Sequence, residues 1–303
     1  MSNPDRFDVV GLGQCSFDIL GRLQAFPAVD QKTELNQLDF QGGGPVATAL
    51  VALARYGVPV AFLGRTGSDD YGQQIRAGLW AEKVDCRALL VDEGKTSQVA
   101  FIAVDGKGHR NIFWHRGTAR PLTADEVDVD LVRKAKVLHL DGLHREASLY
   151  AAQNAREIGA VTVLDGGTLR DGSQELLPYI DHPVVSEKFA EQLLPGDSIV
   201  NQLEALLDHG AQAVTVTCGE KGSWTRERGG EPFHQPAFNV EALDTTGCGD
   251  VFHGAYIYGL LQGWDLRQTV RFSAAAAALK SRRLGGRTGI VSISDVNSML
   301  SSI

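Results

Sequence analysis

Asp250 is the residue of this sequence best suited to act as a catalytic base. It lies in segment 244–254 (DTTGCGDVFHG), where Gly247 and Gly249 flank Cys248. Paired glycines let the backbone turn sharply and approach a ligand without an intervening Cβ atom. The residues that follow lack proline and predict a helix, whose first N–H groups are unpaired and attract anions. The pattern therefore predicts an anion cradle beside a carboxylate base, the arrangement needed to transfer a phosphoryl group to a hydroxyl.

Segment 244–254 also resembles the C-terminal signature of the ribokinase-like (PfkB) carbohydrate kinases, D-T-x-G-A-G-D-x-F followed by small residues. Cys248 stands where that family generally has alanine. The resemblance implies an ATP-dependent sugar kinase in which Asp250 is the base, Gly247, Cys248 and Gly249 form the anion hole, and Mg²⁺ bridges the nucleotide phosphates. A glycine turn with a helix-capping aspartate would explain a lone GxGD, but not a match of this length.

The composition narrows the class of protein further. The chain has 303 residues, of which 43% are hydrophobic and 22% charged, so it can bury the core of one large α/β domain. Its formal net charge of −8 argues against nucleic acid or an anionic membrane surface as a partner. Residues 1–8 contain no apolar signal core, and no stretch approaches the roughly 20 apolar residues of a membrane span. Four scattered cysteines form no CxxC pair, so we expect a cytoplasmic protein without disulfides.

The segments that must position Asp250 predict a mostly parallel sheet with helices on both faces. Short apolar strands alternate with helical stretches, which is typical of such sheets. The predicted strands are 7–12, 137–140, 161–164, 184–185, 213–217 and 238–243. The predicted helices are 49–56, 70–83, 147–158, 199–209, 251–261 and 266–281. No internal repeat or low-complexity linker divides them, so we expect a single domain over residues 1–303, with the ribokinase-like, doubly wound α/β fold that the resemblance implies.

A second, smaller sheet is predicted outside the main one. Residues 32–40, 97–104 and 110–114 resemble strands, and DGKG joins the last two as a hairpin. In ribokinase-like kinases such strands form a lid over the sugar and often the dimer contact. The resemblance therefore implies a β-lid from about 32–40 and 97–115 and a homodimer through that lid. Taken singly, each side chain on these segments could be an ordinary exposed residue of a sheet. The candidates for sugar recognition are Lys32 (for an anionic tail), Gln98, Arg110 and Trp114.

Asp18 follows the first predicted strand, at the edge where open α/β sheets place ligands. The preceding GxG, residues 11–13, invites a dinucleotide-binding interpretation. We reject it because Ser16 stands at the third glycine of GxGxxG and no helix follows. From spacing alone, Asp18 could equally cap a turn. Ribokinase-like kinases carry an Asp at the matching place that hydrogen-bonds sugar hydroxyls, so the resemblance assigns Asp18 to the substrate.

Segments 41–48 (QGGGPVAT) and 64–72 (GRTGSDDYG) resemble the family's N-terminal signature, a GG pair shortly before an Asn, followed by GxxGxDxxG. The resemblance implies that the backbones of Gly43 and Gly44 contact the sugar. Taken alone, the glycines would be an ordinary turn into a helix. Thr48 stands where the family has Asn, and we expect this loss of a larger amide to change the selection of sugar hydroxyls.

Three stretches resemble the nucleotide side of the family's site. Segment 217–222 (TCGEKG) looks like the nucleotide loop, although by itself it would be read as the start of an ordinary β-hairpin. Segment 165–170 (DGGTLR) looks like a D-x-N-x-x-R found in some members, whose arginine could meet a phosphate or form a surface ion pair. The basic loop 285–289 borders the adenine pocket in this fold. The residues thereby implied in nucleotide binding are Thr217, Gly219, Gly222, Arg170 and Gly286.

The segment that would help to hold Mg²⁺ departs from the family pattern. Ser186 and Phe189 break the N-x-x-E motif that helps to hold Mg²⁺ and phosphate through water. Glu187 and Glu191 are the carboxylates left in that segment, and Glu187 is the candidate metal residue.

A monovalent cation is also implied by the resemblance. In many members, loop 285–289 and the backbone at Asp244 and Thr246 form such a site. These two residues are therefore candidate ligands, and K⁺ is a candidate activator.

Three functions follow from these observations. We interpret the chain as an ATP-dependent sugar kinase that phosphorylates a primary hydroxyl, and the GGGPxAT stretch resembles the sulfofructose kinase branch. Trp114 and Leu143, however, stand where that branch would want polar or cationic groups. A nucleoside kinase of the same fold would need lid aromatics, and Trp114 and Phe101 leave this alternative open. A catalytically silent binding protein is suggested by the broken N-x-x-E and opposed by Asp250 with its flanking glycines.

Overall fold

Two sheets organise the computed structural model, which describes residues 7–302. The strands are β1 (Val9–Leu12), β2 (Ser16–Arg22), β3 (Gln37–Gly43), β4 (Val60–Gly67), β5 (Leu89–Asp92), β6 (Val99–Val104), β7 (Arg110–His115), β8 (Val137–Leu140), β9 (Val161–Gly166), β10 (His182–Ser186), β11 (Ala213–Thr217), β12 (Ser223–Glu227) and β13 (Phe233–Gln235). The helices are α1 (Pro45–Arg55), α2 (Asp70–Ala81), α3 (Val129–Val132), α4 (Arg145–Glu157), α5 (Ser173–Leu176), α6 (Glu187–Leu193), α7 (Ile199–Asp208), α8 (Cys248–Leu261), α9 (Leu266–Lys280) and α10 (Ile293–Ser301). No helix within residues 7–302 is long and apolar enough to cross a membrane.

The larger sheet runs in the order β13-β12-β11-β10-β9-β8-β1-β4-β5. The seven strands from β11 to β5 are parallel, and β12 and β13 add an antiparallel edge. β1 pairs with β8 on one side and with β4 on the other, so the chain winds away from it in both directions. The end of β1 is therefore the switch point at which α/β sheets bind ligands.

Helices cover both faces of this sheet because its strands are apolar on both sides. Successive strand residues point to opposite faces, so Val9 and Val10 belong to different clusters. The Val9 cluster includes residues of α1, α8 and α9, whereas the Val10 cluster includes residues of α4, α6 and α7. This is the two-sided, mostly parallel sheet that the sequence predicts.

The smaller sheet, in the order β3-β2-β6-β7, contains the strands predicted to form a lid and one strand more than expected, and we refer to it as the lid sheet. The additional strand is β2, which pairs with β3 and β6 and carries Asp18. The lid strand predicted over 32–40 was placed too early, since β3 begins at Gln37, opposite Arg22. A turn precedes it, in which Gln31 N donates to Ala28 O (3.2 Å) and Asp30 has φ 64°. Residues 31–35, between this turn and β3, form no ladder, and pairing with β2 begins only where Asn36 N donates to Arg22 O (2.7 Å).

The strand predicted over 238–243 was wrong. This segment is irregular and partners no strand of either sheet. Pro236 follows β13 and cannot donate to a ladder. The backbone N–H groups of Leu243 and Asp244 instead donate to Ser281 O at the end of α9 (2.8 and 2.9 Å). The chain therefore enters the signature motif from a loop fixed to α9.

Candidate active site

The carboxyl ends of β1, β8 and β9 bring several polar groups to one edge of the sheet. Gln14 N, just beyond β1, donates to Asp141 Oδ2 beyond β8 (2.7 Å). Asp141 also accepts from Leu143 N (3.0 Å), and its burial raises its pKa to about 7. Asp165 is at the end of β9, where burial raises its pKa and the charge of His253 opposes that rise. Parallel strands thus place these carboxyls together, as expected at a switch point.

The glycine turn of the signature motif opens α8 as the sequence predicts. Gly247 precedes the helix with φ 75°, a conformation that glycine adopts far more easily than other residues. It lies against Gly286, since an added Cβ would be 2.5 Å from Gly286 Cα. A Cβ added to Gly249 would meet no protein atom within 4 Å. The first N–H groups of α8 therefore border an open space of the kind that binds anions.

Asp250 lies in the first turn of α8, beside this anion site. Burial of its carboxyl raises its pKa well above the usual value. The carboxylates of Asp165 and Asp18 raise that pKa further, whereas the cations of Lys280 and Arg287 lower it. The structure thus brings Asp18, on the lid, close enough to Asp250 to act on it electrostatically. A carboxylate with a raised pKa is a better proton acceptor when ionised.

Asp18 is buried on β2 and points at the start of α1. Its Oδ1 accepts a hydrogen bond from Ser16 Oγ (2.7 Å). Burial raises the pKa of Asp18, while Ser16 and Arg287 lower it. A Cβ on Gly43 would collide with the Asp18 carboxylate, so this glycine leaves room for that side chain.

The glycine segment predicted to face the sugar ends β3 of the smaller sheet and leads into α1. Gly44 precedes α1 with φ 96°, and an added Cβ would collide with Gln14 O. The carbonyl of Gly43 already accepts from Arg287 Nη2 (3.2 Å). Thr48 is buried within α1, and its methyl group would be 3.8 Å from a Cβ on Gly286. Thr48 therefore supports the loop beside the anion site.

The lid register places Trp114 on the same face as Asp18. Asp18 is opposite Ala100, which is opposite Trp114, and directly paired residues point to the same side of a sheet. Arg110, four residues before Trp114 on β7, shares this face and contacts Thr245 Oγ1 in the signature motif. The lid sheet therefore faces the anion site with this inner surface.

The other lid candidates differ in position. The side chain of Gln98 contacts that of Gln14, at the switch point. Lys32 is exposed in the loop before β3, and no contact of its side chain with Asp18 or Asp250 exists within residues 7–302. The structure thus brings Gln98 to the switch point, whereas the role of Lys32 for an anionic tail stays a prediction.

The nucleotide candidates line the neighbouring strand ends. Thr217 ends β11, and Gly219 and Gly222 form the turn into β12. Lys221 on this turn forms an ion pair with Glu187 at the start of α6 (3.1 Å). Arg170 is exposed after β9, and its charge lowers the pKa of Asp141. These residues extend the edge that begins at β1.

The residues near α6 fit a magnesium ion that the nucleotide holds. Mg²⁺ keeps several waters and binds through one or two carboxylates plus substrate phosphates. Glu187 offers an exposed carboxylate at this edge, whereas Glu191 accepts from Gly196 N (2.8 Å) and Gln202 Nε2 (2.9 Å). Within residues 7–302 no group of three His, Cys, Asp or Glu is arranged around one point.

The candidate monovalent-cation site does not fit potassium. The ammonium of Lys280 lies 3.0 Å from Asp244 O and also contacts Thr246 O, the two carbonyls predicted as ligands. The carboxylate of Asp244 is used elsewhere, since it accepts from Thr246 N (2.8 Å) and Gly285 N (2.7 Å). An additional cation at these carbonyls would have to displace the ammonium.

Three residues of the site were not identified from the sequence: Lys280, Arg287 and His253. The Nδ1 of His253 lies 3.3 Å from Asp165 Oδ2 and 2.6 Å from Gly249 O. Its Nε2 lies 2.9 Å from Val184 O, so the ring ties α8 to β10. Arg287 belongs to the basic loop 285–289, and its charge in that loop is the sequence signal that could have identified it. Lys280 ends an alanine-rich helix and gave no signal.

This edge combines groups that phosphoryl transfer to a hydroxyl requires, namely an open helix N-terminus and a buried carboxylate beside it, and the smaller sheet faces them. The family model of the pfkB family carbohydrate kinases matches residues 6–292, and the chain belongs to this family. It is similar to the 5-dehydro-2-deoxygluconokinase of Shouchella clausii, with 27% identity over 97% of this chain and 96% of that protein. It is also similar to the fructokinase of Solanum tuberosum, with 29% identity over 85% of this chain and 86% of that protein.

The solved structure of ribokinase from Thermotoga maritima has the same fold. Its TM-score is 0.85 at 25% identity, and the match covers 97% of this chain and 99% of that one. The family and the ribokinase-like fold inferred from the sequence are thereby confirmed, and the protein is an ATP-dependent carbohydrate kinase. The relatives act on different sugars, so the similarity leaves the acceptor open.

Proposed function

We propose that this protein transfers the γ-phosphoryl group of ATP to a primary hydroxyl of a sugar or sugar derivative, with Asp250 as the base. The observation that carries the proposal is the position of Asp250, in the first turn of α8 between the Gly247–Gly249 turn and the lid residue Asp18. The base and the substrate-orienting carboxylate are thus on opposite elements, with the anion site beside them.

In the proposed reaction, Asp18 accepts hydrogen bonds from sugar hydroxyls and orients the acceptor toward Asp250. Asp250 takes the proton of the primary hydroxyl as its oxygen attacks the γ-phosphorus. The N–H groups at residues 247–249 stabilise the charge on the transferred group. Glu187 would steady Mg²⁺ through water, and the ion held with ATP would neutralise phosphate charge. The lid excludes water, which would otherwise compete as the acceptor.

The first test measures ADP release with Mg-ATP against fructose, ribose, 2-keto-3-deoxygluconate, sulfofructose, tagatose 6-phosphate and adenosine. Asp250→Asn should abolish transfer to the accepted substrate while ATP affinity, measured by calorimetry, stays nearly unchanged. Asp208→Asn is the matched control, because Asp208 is an exposed carboxylate at the end of α7. Substantial kcat in Asp250→Asn would refute the base assignment.

A nucleoside kinase of the same fold is the second candidate. The observation in its favour is the inner-face position of Trp114, whose half-exposed ring lies 5.5 Å from the Arg116 guanidinium and would stack on a base. Adenosine as the single good acceptor would support this candidate, and Trp114→Ala should then raise the KM for adenosine. Turnover of any acceptor would exclude the silent binding protein.

Two finer proposals concern the substrate and the assembly. The sulfofructose-type acceptor rests on the GGGPxAT segment, and Lys32, the suggested partner of its anionic tail, lies in the exposed loop before β3. The homodimer rests on the outer lid face, where Leu38, Phe40 and Phe113 are 49%, 60% and 62% exposed. Light scattering of the wild type and of Phe40→Asp tests the dimer, and a monomeric wild type would contradict it.

A further inference from the structure

Lys280 is a buried cation without a carboxylate partner. It ends α9 and has no exposed surface. Within residues 7–302 its ammonium forms no ion pair with an Asp or Glu, and its two hydrogen bonds go to the backbone carbonyls of Asp244 and Thr246. Burial of a charged group is unfavourable unless the group is well paired. Two carbonyls take the place of water around this ammonium, so we expect the buried charge to have a functional role.

The two carbonyls belong to the loop that leads into the anion hole. Thr246 is adjacent to Gly247, so the ammonium fixes the backbone directly before the N–H groups of residues 247–249. The loop is fixed on its other side by the Asp244 carboxylate, which accepts from Gly285 N (2.7 Å). Burial raises the pKa values of Asp250 and Cys248, and the positive charge of Lys280 opposes both rises. One cation thereby orients the anion hole and contributes favourable charge to it.

Backbone carbonyls that converge on a cation are also how proteins bind alkali ions. The ammonium of lysine carries the same charge and donates to up to three acceptors. Burial lowers the pKa of Lys280, and the neighbouring groups Cys248, Asp244 and Asp250 oppose this decrease. These neighbouring groups therefore offset part of the cost of burying the ammonium, and its two carbonyl acceptors satisfy its hydrogen bonds.

We propose that the ammonium of Lys280 replaces a monovalent cation beneath the anion hole, so that this kinase needs no potassium. The inference rests on the proposed function, because it concerns the same phosphoryl-transfer site. A covalently attached cation is present at any salt composition, whereas a bound ion depends on its concentration. The loop 244–246 is consequently preorganised for phosphate in the protein itself.

The experiment compares KCl, NaCl and tetramethylammonium chloride at constant ionic strength, since general screening must be the same in all arms. Wild-type enzyme should show the same kcat and the same melting temperature in each salt. Lys280→Ala leaves the carbonyls unpaired and opens space beside them. Its kcat in tetramethylammonium should fall by about 100-fold, as for the loss of one anion-hole group, and K⁺ should restore much of it.

Two variants serve as controls. Lys280→Met removes the charge and keeps most of the volume, so K⁺ should rescue it far less than Lys280→Ala. Lys134→Ala removes an exposed lysine after α3 and should behave as the wild type.

Melting temperature keeps the test independent of the acceptor sugar. K⁺ should raise the melting temperature of Lys280→Ala in a concentration-dependent manner and leave that of the wild type unchanged. If no sugar is phosphorylated, the proposed function fails, but the melting temperature still tests the cation site. Should Lys280→Ala not fold, the wild-type salt series decides alone. Activation or stabilisation of the wild type by K⁺, or full activity of Lys280→Ala without K⁺, would overturn the proposal.

Discussion

Replacing Gly247 by alanine tests whether the anion hole depends on its packing against Gly286. Two penalties apply to Gly247→Ala. The left-handed backbone, with φ 75°, costs a residue with a Cβ about 1–2 kcal/mol. The new Cβ would also be 2.5 Å from Gly286 Cα, a backbone atom that cannot rotate away. Overpacking of this kind adds about 1–3 kcal/mol, so the free energy of unfolding should fall by about 2–5 kcal/mol.

Gly263, just beyond the other end of α8, provides the matched control. It has φ 71°, but an added Cβ would meet no atom within 4 Å. Gly263→Ala therefore has only the backbone penalty, about 1–2 kcal/mol. The difference between the two variants isolates the contact with Gly286.

Urea unfolding at constant pH gives both free energies, and ADP release gives kcat. Gly249→Ala completes the set, because its Cβ meets no protein atom and points into the space assigned to phosphate. It should keep its stability and lose kcat, whereas Gly247→Ala should lose both. A Gly247→Ala protein no less stable than Gly263→Ala would refute the packing argument.

The remaining predictions concern three side chains of the site. Asp18→Ala should raise the KM for the sugar far more than that for ATP, because Asp18 orients only the acceptor; equal changes in both KM values would remove it from the sugar site. Cys248→Ala should keep near wild-type kcat, because the hole uses backbone N–H groups and the thiol only donates to Ala277 O (3.5 Å); a severe loss would reveal a side-chain role. Burial raises the pKa of Asp141 to about 7. The stabilisation from this raised pKa is complete below the ordinary carboxyl range and is lost as the pH rises through about 7, so the free energy of unfolding should decrease across that interval. Asp141→Asn should flatten the decrease in urea titrations, and an unchanged pH profile would contradict the assignment.

Much of the fold was predictable because its elements have local signals. Strands β8 and β11 have the predicted bounds, and α8 begins only three residues before its prediction. Apolar runs and glycine turns specify such elements through neighbouring residues. The two errors concern the lid strand β3 and residues 238–243, where pairing with another strand decides whether a strand forms. Strand pairing is a long-range property, so apolar, β-prone sequence does not ensure a strand.

The candidate site likewise has features that the sequence predicts and features that it does not. The Gly247–Asp250 motif could be placed at a helix N-terminus, since its conformation depends on adjacent residues. The roles assigned to the predicted site residues stay predictions until the variants above are measured. The lid register, which aligns Trp114 with Asp18, depends on how four strands pair, and periodicity does not fix that pairing.

The sequence by itself determined the chemistry of this protein: a glycine-rich helix start, an adjacent aspartate and the alternating elements of a doubly wound sheet. Only the tertiary structure decided which charges surround that chemistry. Lys280 reaches carbonyls 34 and 36 positions earlier, and Arg287 reaches Gly43 across 244 positions. Such contacts arise when separate helices and loops pack against one another, so no local pattern predicts them. Local sequence specifies a turn or a helix, whereas packing specifies its electrostatic neighbours.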